Sequence, residues 1–383
     1  MTPESKSHPP ADASHPPEEP VPSEQLPPVT PPTAGFIIQL FLIPALIVVA
    51  IIGVWALFGK IAASDANWEQ LVSELGSTNT HRRWRAANHL SQLLHNEQLT
   101  DAPESERLST RREVALALTT LFRTSLESHS TQTDDINHQE FLARTMGALD
   151  VDGLVLPVLA ECLDPKHETA VRKTGLMSVV MIAGRHFAKA TGQLMTPDRS
   201  SGLPELTPLA EAAGLPLKQP CIQNERVLEQ LATAAQDPDA SLRHLAAYAL
   251  GLVSGPDSME QLHVMLLDSD ISTQANAAIA LARNADPVGI PVMIKLLKQG
   301  ANRMSQANFA KFSAKEQQAE LARRSFEEPA VLTNCITAVG RLWPAIPENQ
   351  QAELKQLLQK LAGEHKLAGV RLQAKSLLRE IAH

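Results

Sequence analysis

The sequence is poor in cysteine, in aromatic residues and in positive charge. Its three cysteines, Cys162, Cys221 and Cys335, are odd in number and far apart, so they predict neither a disulfide framework nor a CxxC metal site. Aromatic residues make up 4% of the 383 residues, and the formal net charge is −8. Because nucleic-acid-binding domains carry basic surfaces and stacking aromatic rings, this composition argues against nucleic acid as a partner.

Motifs of common catalytic sites are also missing. The chain contains no HExxH, no GxSxG and no P-loop, and its 13 histidines show no metal-ligand spacing. A lone cysteine on a helix is usually a small core residue. The sequence therefore predicts no catalytic residue, no metal ligand and no cofactor.

Proline is concentrated at the N-terminus. The prolines from Pro3 to Pro32 lie in a segment without hydrophobic periodicity, where one lysine stands against five acidic residues. Such a segment cannot bury enough apolar surface to fold by itself. Residues 1–33 are therefore predicted to form a disordered, extended tail.

A long apolar run follows this tail. Ala34 to Gly59 carry no charge over 26 positions, which at about 1.5 Å per residue is long enough to cross a bilayer core of roughly 30 Å. A cleaved signal peptide would need a basic segment upstream and a shorter apolar core, and neither is present. The sequence therefore predicts a retained transmembrane helix over residues 34–60, with the lipid bilayer as a partner.

The charges that flank this run predict an orientation. Lys60 and, further on, Arg82, Arg83 and Arg85 lie on the C-terminal side, while no basic residue lies between Lys6 and the run. By the positive-inside rule, the protein is expected to be a single-pass membrane protein whose C-terminal part is cytoplasmic.

The remaining chain contains a repeat. DPDASLRHLAAYALG at 237–251 recurs as DSDISTQANAAIALAR at 268–283, and every matching residue is offset by 31 positions. A helix with a leucine stripe precedes each copy, and strand patterns are absent. A fixed period of paired amphipathic helices is typical of an all-α solenoid. The alanines of the second helices are expected to permit close stacking between neighbouring repeats, with Ala247 and Ala278 at the junctions.

This pattern resembles the HEAT repeat, in the short form related to the repeats of phycobilin lyases. The resemblance rests on the turn Asp237-Pro238-Asp239, on Leu242-Arg243 and on the run from Ala246 to Gly251. It implies a structural ladder in which turn aspartates and second-helix arginines join repeats, formed here by Asp237, Arg243 and Asp268. Gln274 replaces the arginine in the next repeat, so the ladder is expected to break there.

On this template, residues 65–383 are predicted to form a right-handed solenoid of about seven helix pairs. First helices are expected near 65–75, 104–127, 152–163, 224–236, 256–267, 287–299 and 347–362. Second helices are expected near 80–96, 138–149, 167–190, 240–253, 270–284, 329–342 and 365–381. Two insertions, 192–222 and 299–328, interrupt the period, and the first is predicted to be a long loop.

The second insertion combines basic and aromatic residues, which is typical of docking segments. Its predicted partner-binding residues are Arg303, Phe309, Phe312, Arg323, Arg324 and Phe326. A disordered loop, or a helix that caps an apolar edge of the solenoid, is the structural alternative for the same residues.

The predicted function is that of a membrane-anchored interaction scaffold for partner proteins, without chemistry of its own. Resemblance also leaves enzyme alternatives, chiefly a phycobilin-lyase-like activity on a small ligand. An iron site like that of deoxyhypusine hydroxylase would need several His-Glu dipeptides, and this chain has one, His167-Glu168. A nucleic-acid-binding HEAT-like module is a further alternative, which the net negative charge disfavours.

Overall fold

The computed structural model describes residues 34–62, 68–99, 103, 107–197, 204–207, 217–302 and 330–382. Asn67–His383 form one compact unit, separate from the residues that precede it. The predicted disordered tail, residues 1–33, lies outside the described residues.

Helix α1 (Ala34–Ala62) occupies the apolar run. The prediction of a transmembrane helix over residues 34–60 is wrong, since no helix in the described part of the chain is both long and apolar enough to cross a membrane. The predicted localisation, a single-pass membrane protein with a cytoplasmic C-terminal part, is corrected with it.

Fourteen further helices in the described residues form seven consecutive pairs. The first helices are α2 (Trp68–Leu75), α4 (Arg112–Glu127), α6 (Asp152–Cys162), α8 (Glu225–Ala234), α10 (Pro256–Met265), α12 (Ile290–Asn302) and α14 (Glu348–Glu364). The second helices are α3 (Thr80–Leu99), α5 (Thr133–Ala148), α7 (Thr169–Thr191), α9 (Ala240–Val253), α11 (Ile271–Arg283), α13 (330–342) and α15 (Ala368–Glu380). Each pair lies where the period predicts one.

One first helix begins later than predicted. Instead of starting near residue 104, α4 starts at Arg112, and a single 3-10 turn over Leu108–Thr110 precedes it. The carboxylate of Glu97 accepts hydrogen bonds from the backbone N–H groups of Leu108 and Ser109, which holds this segment against the end of α3 instead of in a helix.

Aspartates at a 31-residue spacing begin the central second helices. Asp239 caps α9 by accepting from the N–H of Ser241 at 2.8 Å, and Asp270 caps α11 by accepting from the N–H of Thr273 at 2.7 Å. An acidic N-cap satisfies a free backbone donor and interacts favourably with the helix dipole. The positions where these helices begin are therefore encoded locally.

The second helices pack side by side. Helices α5, α7, α9 and α11 contact one another in series, and the first helices α2, α4, α6 and α8 do the same. One apolar face of α9 is buried: Leu242, Ala246, Ala249, Leu250 and Val253 are at most 4% exposed. These two layers of stacked helices are those of an α-helical solenoid.

Small residues set the distance between neighbouring second helices. A Cβ atom added at Gly251 of α9 would overlap the Cβ of Ala280 on α11. One added at Gly289, in the 3-10 turn that precedes α12, would lie 2.8 Å from Cα of Ala278. The predicted position of Ala278 at a junction between repeats is therefore confirmed.

The first insertion, predicted to be a long loop, contains a short β-hairpin in an otherwise all-α fold of the described residues. Strand β1 (Leu194–Pro197) pairs antiparallel with β2 (Pro204–Thr207), with Leu194 opposite Thr207 and Pro197 opposite Pro204. Proline has no N–H for a ladder, so the proline pair limits the hairpin to four residues per strand. Strands this short are difficult to recognise from alternation of polar and apolar residues. Both strands contact α7.

Candidate interaction surface

The three residues of the predicted ladder lie together at the turns between helices. Arg243 donates from Nε and Nη2 to the two carboxylate oxygens of Asp268, at 2.8 and 2.9 Å, and from Nη1 to the carbonyl oxygens of Asp237 and Pro238. These bonds raise the pKa of Arg243 and lower that of Asp268, because each side chain stabilises the charged form of the other. Arg243 thus binds its own turn and that of the following repeat.

The carboxylate of Asp237 pairs with the preceding repeat. It accepts from Nη2 of Arg172, and both side chains are 7% exposed. Each rung therefore runs from the arginine of one repeat to the aspartate of the next. Where the sequence predicts a break, Gln274 donates to the carbonyl oxygen of Asp268 in its own repeat.

Between the second and third repeats, histidines occupy the corresponding turns. The rings of His129 and His167 stack, with centroids 5.9 Å apart and planes 21° from parallel. Burial and the neighbouring Lys166 lower the pKa of His167, with Asp164 acting against them. One repeat earlier, Arg83 pairs with Asp135 at 2.9 Å. All of these contacts hold repeats together and belong to the framework of the solenoid.

A line of partly exposed side chains crosses the stacked second helices. Arg144 on α5, Met177 on α7, Tyr248 on α9 and Ile279 on α11 occupy equivalent positions, and we call them the second-helix ridge. In each helix the ridge residue is exposed or half-buried, while the two residues on either side are buried. Because these helices are adjacent, neighbouring ridge residues are separated by about one helix spacing, roughly 8–10 Å.

The ridge ends beside a buried arginine. The guanidinium carbon of Arg283 lies 4.7 Å from the centroid of the Tyr248 ring, within the range of a cation–π interaction. Arg283 is 8% exposed, and its Nε and Nη1 atoms are buried without a hydrogen-bond acceptor. The absent side chain of Gly251 makes room for it, since a Cβ there would lie 3.3 Å from Nη1.

Neither Tyr248 nor Arg283 is among the residues predicted from the sequence. One signal was available: Arg283 lies 31 residues after Leu252, so the repeat places an arginine where its preceding copy has a core leucine. Leu252 is fully buried. Only the packing of α9 against α11 shows that this arginine stacks on the chain's one tyrosine.

A cleft of about 370 Å³ lies in the first repeat. Its lining consists of Gln70, Leu71, Glu74, Arg85, Ala86 and His89. Arg85 pairs with Glu74 across α2 and α3 at 3.3 Å, so this basic residue is balanced by an acid. Nearby on α3, Trp84 is 70% exposed.

The cysteines are not activated nucleophiles. Burial raises the pKa of Cys162, Cys221 and Cys335 to about 12, so each remains a protonated thiol at neutral pH. In the part of the chain that the structure describes, no three histidine, cysteine or acidic side chains are grouped so that they could hold a metal ion.

The predicted partner-binding residues of the second insertion are Arg303, Phe309, Phe312, Arg323, Arg324 and Phe326. All six lie outside the described residues, so their role stays a prediction. Their two flanks are described, and they adjoin: a Cβ added at Gly300 of α12 would lie 2.7 Å from the side chain of Leu332 on α13.

Comparison with known proteins supports the repeat assignment. The family described as HEAT repeats matches residues 227–311, which run from α8 into the second insertion. The resemblance to HEAT repeats is therefore confirmed for the segment where the 31-residue period is clearest. No curated protein matches the chain.

Several solved structures are similar to the chain at low identity. An engineered protein matches at 19% identity and a TM-score of 0.32, covering 82% of this chain and 96% of its own. YibA of Escherichia coli matches at 14% identity and a TM-score of 0.33, and the match covers 85% of this chain and 96% of YibA. Human deoxyhypusine hydroxylase in complex with glycerol matches at 15% identity and a TM-score of 0.28, and the match covers 85% of this chain and 99% of the hydroxylase. With TM-scores this low, these likenesses carry no argument about function.

Proposed function

We propose that this protein is an interaction scaffold, in which a right-handed HEAT-like solenoid of about seven helix pairs binds a partner protein and performs no chemistry of its own. The observation that carries the proposal is the second-helix ridge, a row of exposed or half-buried side chains on four adjacent helices. Stacked repeats characteristically use such extended surfaces to bind other proteins.

The residue types of the ridge favour a protein partner. Methionine, tyrosine and arginine are enriched at the centres of protein interfaces, where they combine apolar area with directed polar contacts. Met177, Tyr248 and Ile279 supply the apolar area, and Arg144 lies at one end. The net charge of −8 counts against a nucleic-acid partner, and the raised thiol pKa values count against cysteine catalysis.

The second insertion is a further element of the proposal. Its predicted docking residues, from Arg303 to Phe326, are proposed to contact the same partner, with the phenylalanines as apolar anchors. The solenoid would then contribute a rigid surface, and the insertion a second point of attachment that raises the overall affinity.

Site-directed photocrosslinking tests which face binds. The full-length protein would carry a photoreactive amino acid at Met177 or, as the matched control, at Val264, an exposed apolar residue of the first helix α10. In native extracts, we expect a defined crosslinked chain from position 177 and not from position 264. The crosslinked chain would then be purified and its affinity for the full-length protein measured by calorimetry.

Charge substitutions provide the second arm. Met177→Glu combined with Ile279→Glu should weaken the binding of this purified chain at least tenfold, while Val264→Glu should leave it unchanged. Equal crosslinking from both positions, or binding that survives the ridge substitutions in a protein with unchanged circular dichroism, would overturn the assignment of the ridge as the binding face.

A further inference from the structure

Arg283 is a buried cation without a counter-ion. It ends α11, is 8% exposed, and takes part in none of the ion pairs between described residues. Its Nε and Nη1 atoms are buried and donate to no acceptor. Guanidinium groups keep their charge in proteins, and a buried charge without paired hydrogen bonds is strongly disfavoured.

Nearby carboxylates are committed to other groups. Asp286, the acidic residue closest in sequence, pairs with His263 at 2.7 Å and accepts from the N–H of Val288 at 2.9 Å. Asp268 and Asp270 lie at the other end of α11, where they bind Arg243 and cap the helix. The Tyr248 ring offers a cation–π contact, but a ring face supplies no acceptor for the N–H groups.

The surroundings of Arg283 indicate which ligand group would pair with its guanidinium. Tyr248 stacks on its guanidinium, and Ile279 lies one turn earlier on α11, so the arginine is placed beside the apolar part of the second-helix ridge. A carboxylate is the group that guanidinium binds with matched, paired hydrogen bonds. A partner that presents an acidic side chain among apolar ones would satisfy both the arginine and the ridge.

We propose that Arg283, together with Tyr248, is the receptor for an aspartate or glutamate of an acidic, apolar-flanked peptide segment in the partner protein. The inference rests on the proposed scaffold function and specifies the chemistry of its partner. A peptide carboxylate is favoured over a phosphate because a single guanidinium among apolar side chains matches one negative charge.

The one tyrosine of the chain makes the site directly observable. Full-length protein labelled with 3-fluorotyrosine gives a single ¹⁹F resonance, from position 248. The probe is a blocked synthetic peptide of alternating leucine and glutamate, and its matched control has glutamine in place of each glutamate. We expect a saturable shift of the resonance with the glutamate peptide and at least tenfold weaker binding of the glutamine peptide.

Variants assign the effect to the arginine. Arg283→Gln should weaken binding of the glutamate peptide at least tenfold. Arg112→Gln, which removes an exposed arginine from the first helix α4, should leave the titration curve unchanged. Because Arg283→Gln could disturb folding, the comparison of the two peptides on the unmodified protein stands as an independent measurement.

Three results would overturn the inference: equal binding of the two peptides, a titration unaffected by Arg283→Gln in a folded protein, or inorganic phosphate that binds more tightly than the glutamate peptide. Failure of the scaffold function is a different outcome, seen as a loss of crosslinking selectivity between positions 177 and 264. If the ridge substitutions abolish partner binding and Arg283→Gln does not, the scaffold function stands and the acidic-segment inference fails.

Discussion

At the scale of single residues, the solenoid depends on charges placed where water cannot screen them. Arg172 and Asp237 are both nearly buried, and they join the third repeat to the fourth. Directly beside them, Lys173 pairs with Asp239 at 3.4 Å, with both side chains more than a third exposed. The two pairs link the same repeats through similar chemistry, so they isolate the effect of burial.

Arg172→Ala is therefore expected to lower the free energy of unfolding by about 3–5 kcal/mol, because it leaves the carboxylate of Asp237 buried without its partner. Lys173→Ala should change it by no more than about 1 kcal/mol, since solvent already screens that pair. Urea denaturation followed by circular dichroism measures both values. Similar losses for the two variants would show that burial does not set the strength of these contacts.

A half-buried histidine, His138, makes stability depend on pH. Burial, with Arg83 adding to it and Asp135 opposing it, lowers the pKa of His138 to about 4 from 6.5. Between these values the unfolded chain binds a proton that the folded chain does not, so stability falls as the pH decreases from about 6.5 towards 4 and stops falling on this account below 4. His167, whose pKa is also lowered, acts in the same direction.

His138→Gln should therefore reduce the difference in melting temperature between pH 7 and pH 5, a window in which few carboxylates titrate. The measurement is thermal denaturation at both pH values for the wild type and the variant. Exposed His95 provides the control, because His95→Gln should leave the wild-type difference intact. An unchanged difference in His138→Gln would contradict the assigned cause.

At the scale of helices, close approach is the principle that joins neighbouring repeats. Glycine inside a helix ordinarily costs about 0.5–1 kcal/mol relative to alanine, so its presence needs a compensating gain. At Gly251 that gain is the contact with Ala280, which leaves no space for a Cβ atom. Gly363 in α14 has no atom within 4 Å of the same position.

Gly251→Ala is expected to destabilise the protein by about 1–3 kcal/mol, because the new methyl group forces α9 and α11 apart. Gly363→Ala should be neutral or stabilise it by up to about 1 kcal/mol, since alanine restricts the unfolded chain without a clash. Chemical denaturation of the pair measures the difference. If both substitutions stabilise the protein, the contact between α9 and α11 accommodates a methyl group at position 251, which would contradict the prediction.

The helices were largely predictable from the sequence because their signals are local and repeated. The predicted range 240–253 coincides with α9, where Asp239 caps the start, and Ser254 and Gly255, both with positive φ, follow the end. The stacking of Arg283 on Tyr248 was not predictable, because it arises between two helices. Hydrophobicity alone also gave a wrong prediction. It indicated a membrane anchor at 34–60, which the described part of α1 does not support.

At the scale of the whole molecule, the solenoid tolerates interruption because each repeat contacts chiefly its neighbours. The second insertion is the largest test of this property. Its flanks, α12 and α13, pack against each other through Gly300 and Leu332, so the insertion is not required to bring them together. A short flexible connection between the flanks should therefore preserve the stack, since loop length has only a weak effect on stability.

Replacing residues 303–325 with a short Gly/Ser linker should accordingly leave helicity unchanged and shift the free energy of unfolding by no more than about 0.5 kcal/mol. Binding of the partner identified by crosslinking at position 177 should become at least tenfold weaker, because the proposed anchors Phe309 and Phe312 and the paired basic residues Arg323 and Arg324 are removed. The matched control replaces residues 198–203, the segment between β1 and β2, with a linker of equal length and should retain binding. Unfolding of the 303–325 variant would show that the insertion caps the solenoid, and full binding by a folded variant would leave the second-helix ridge as the sole attachment point.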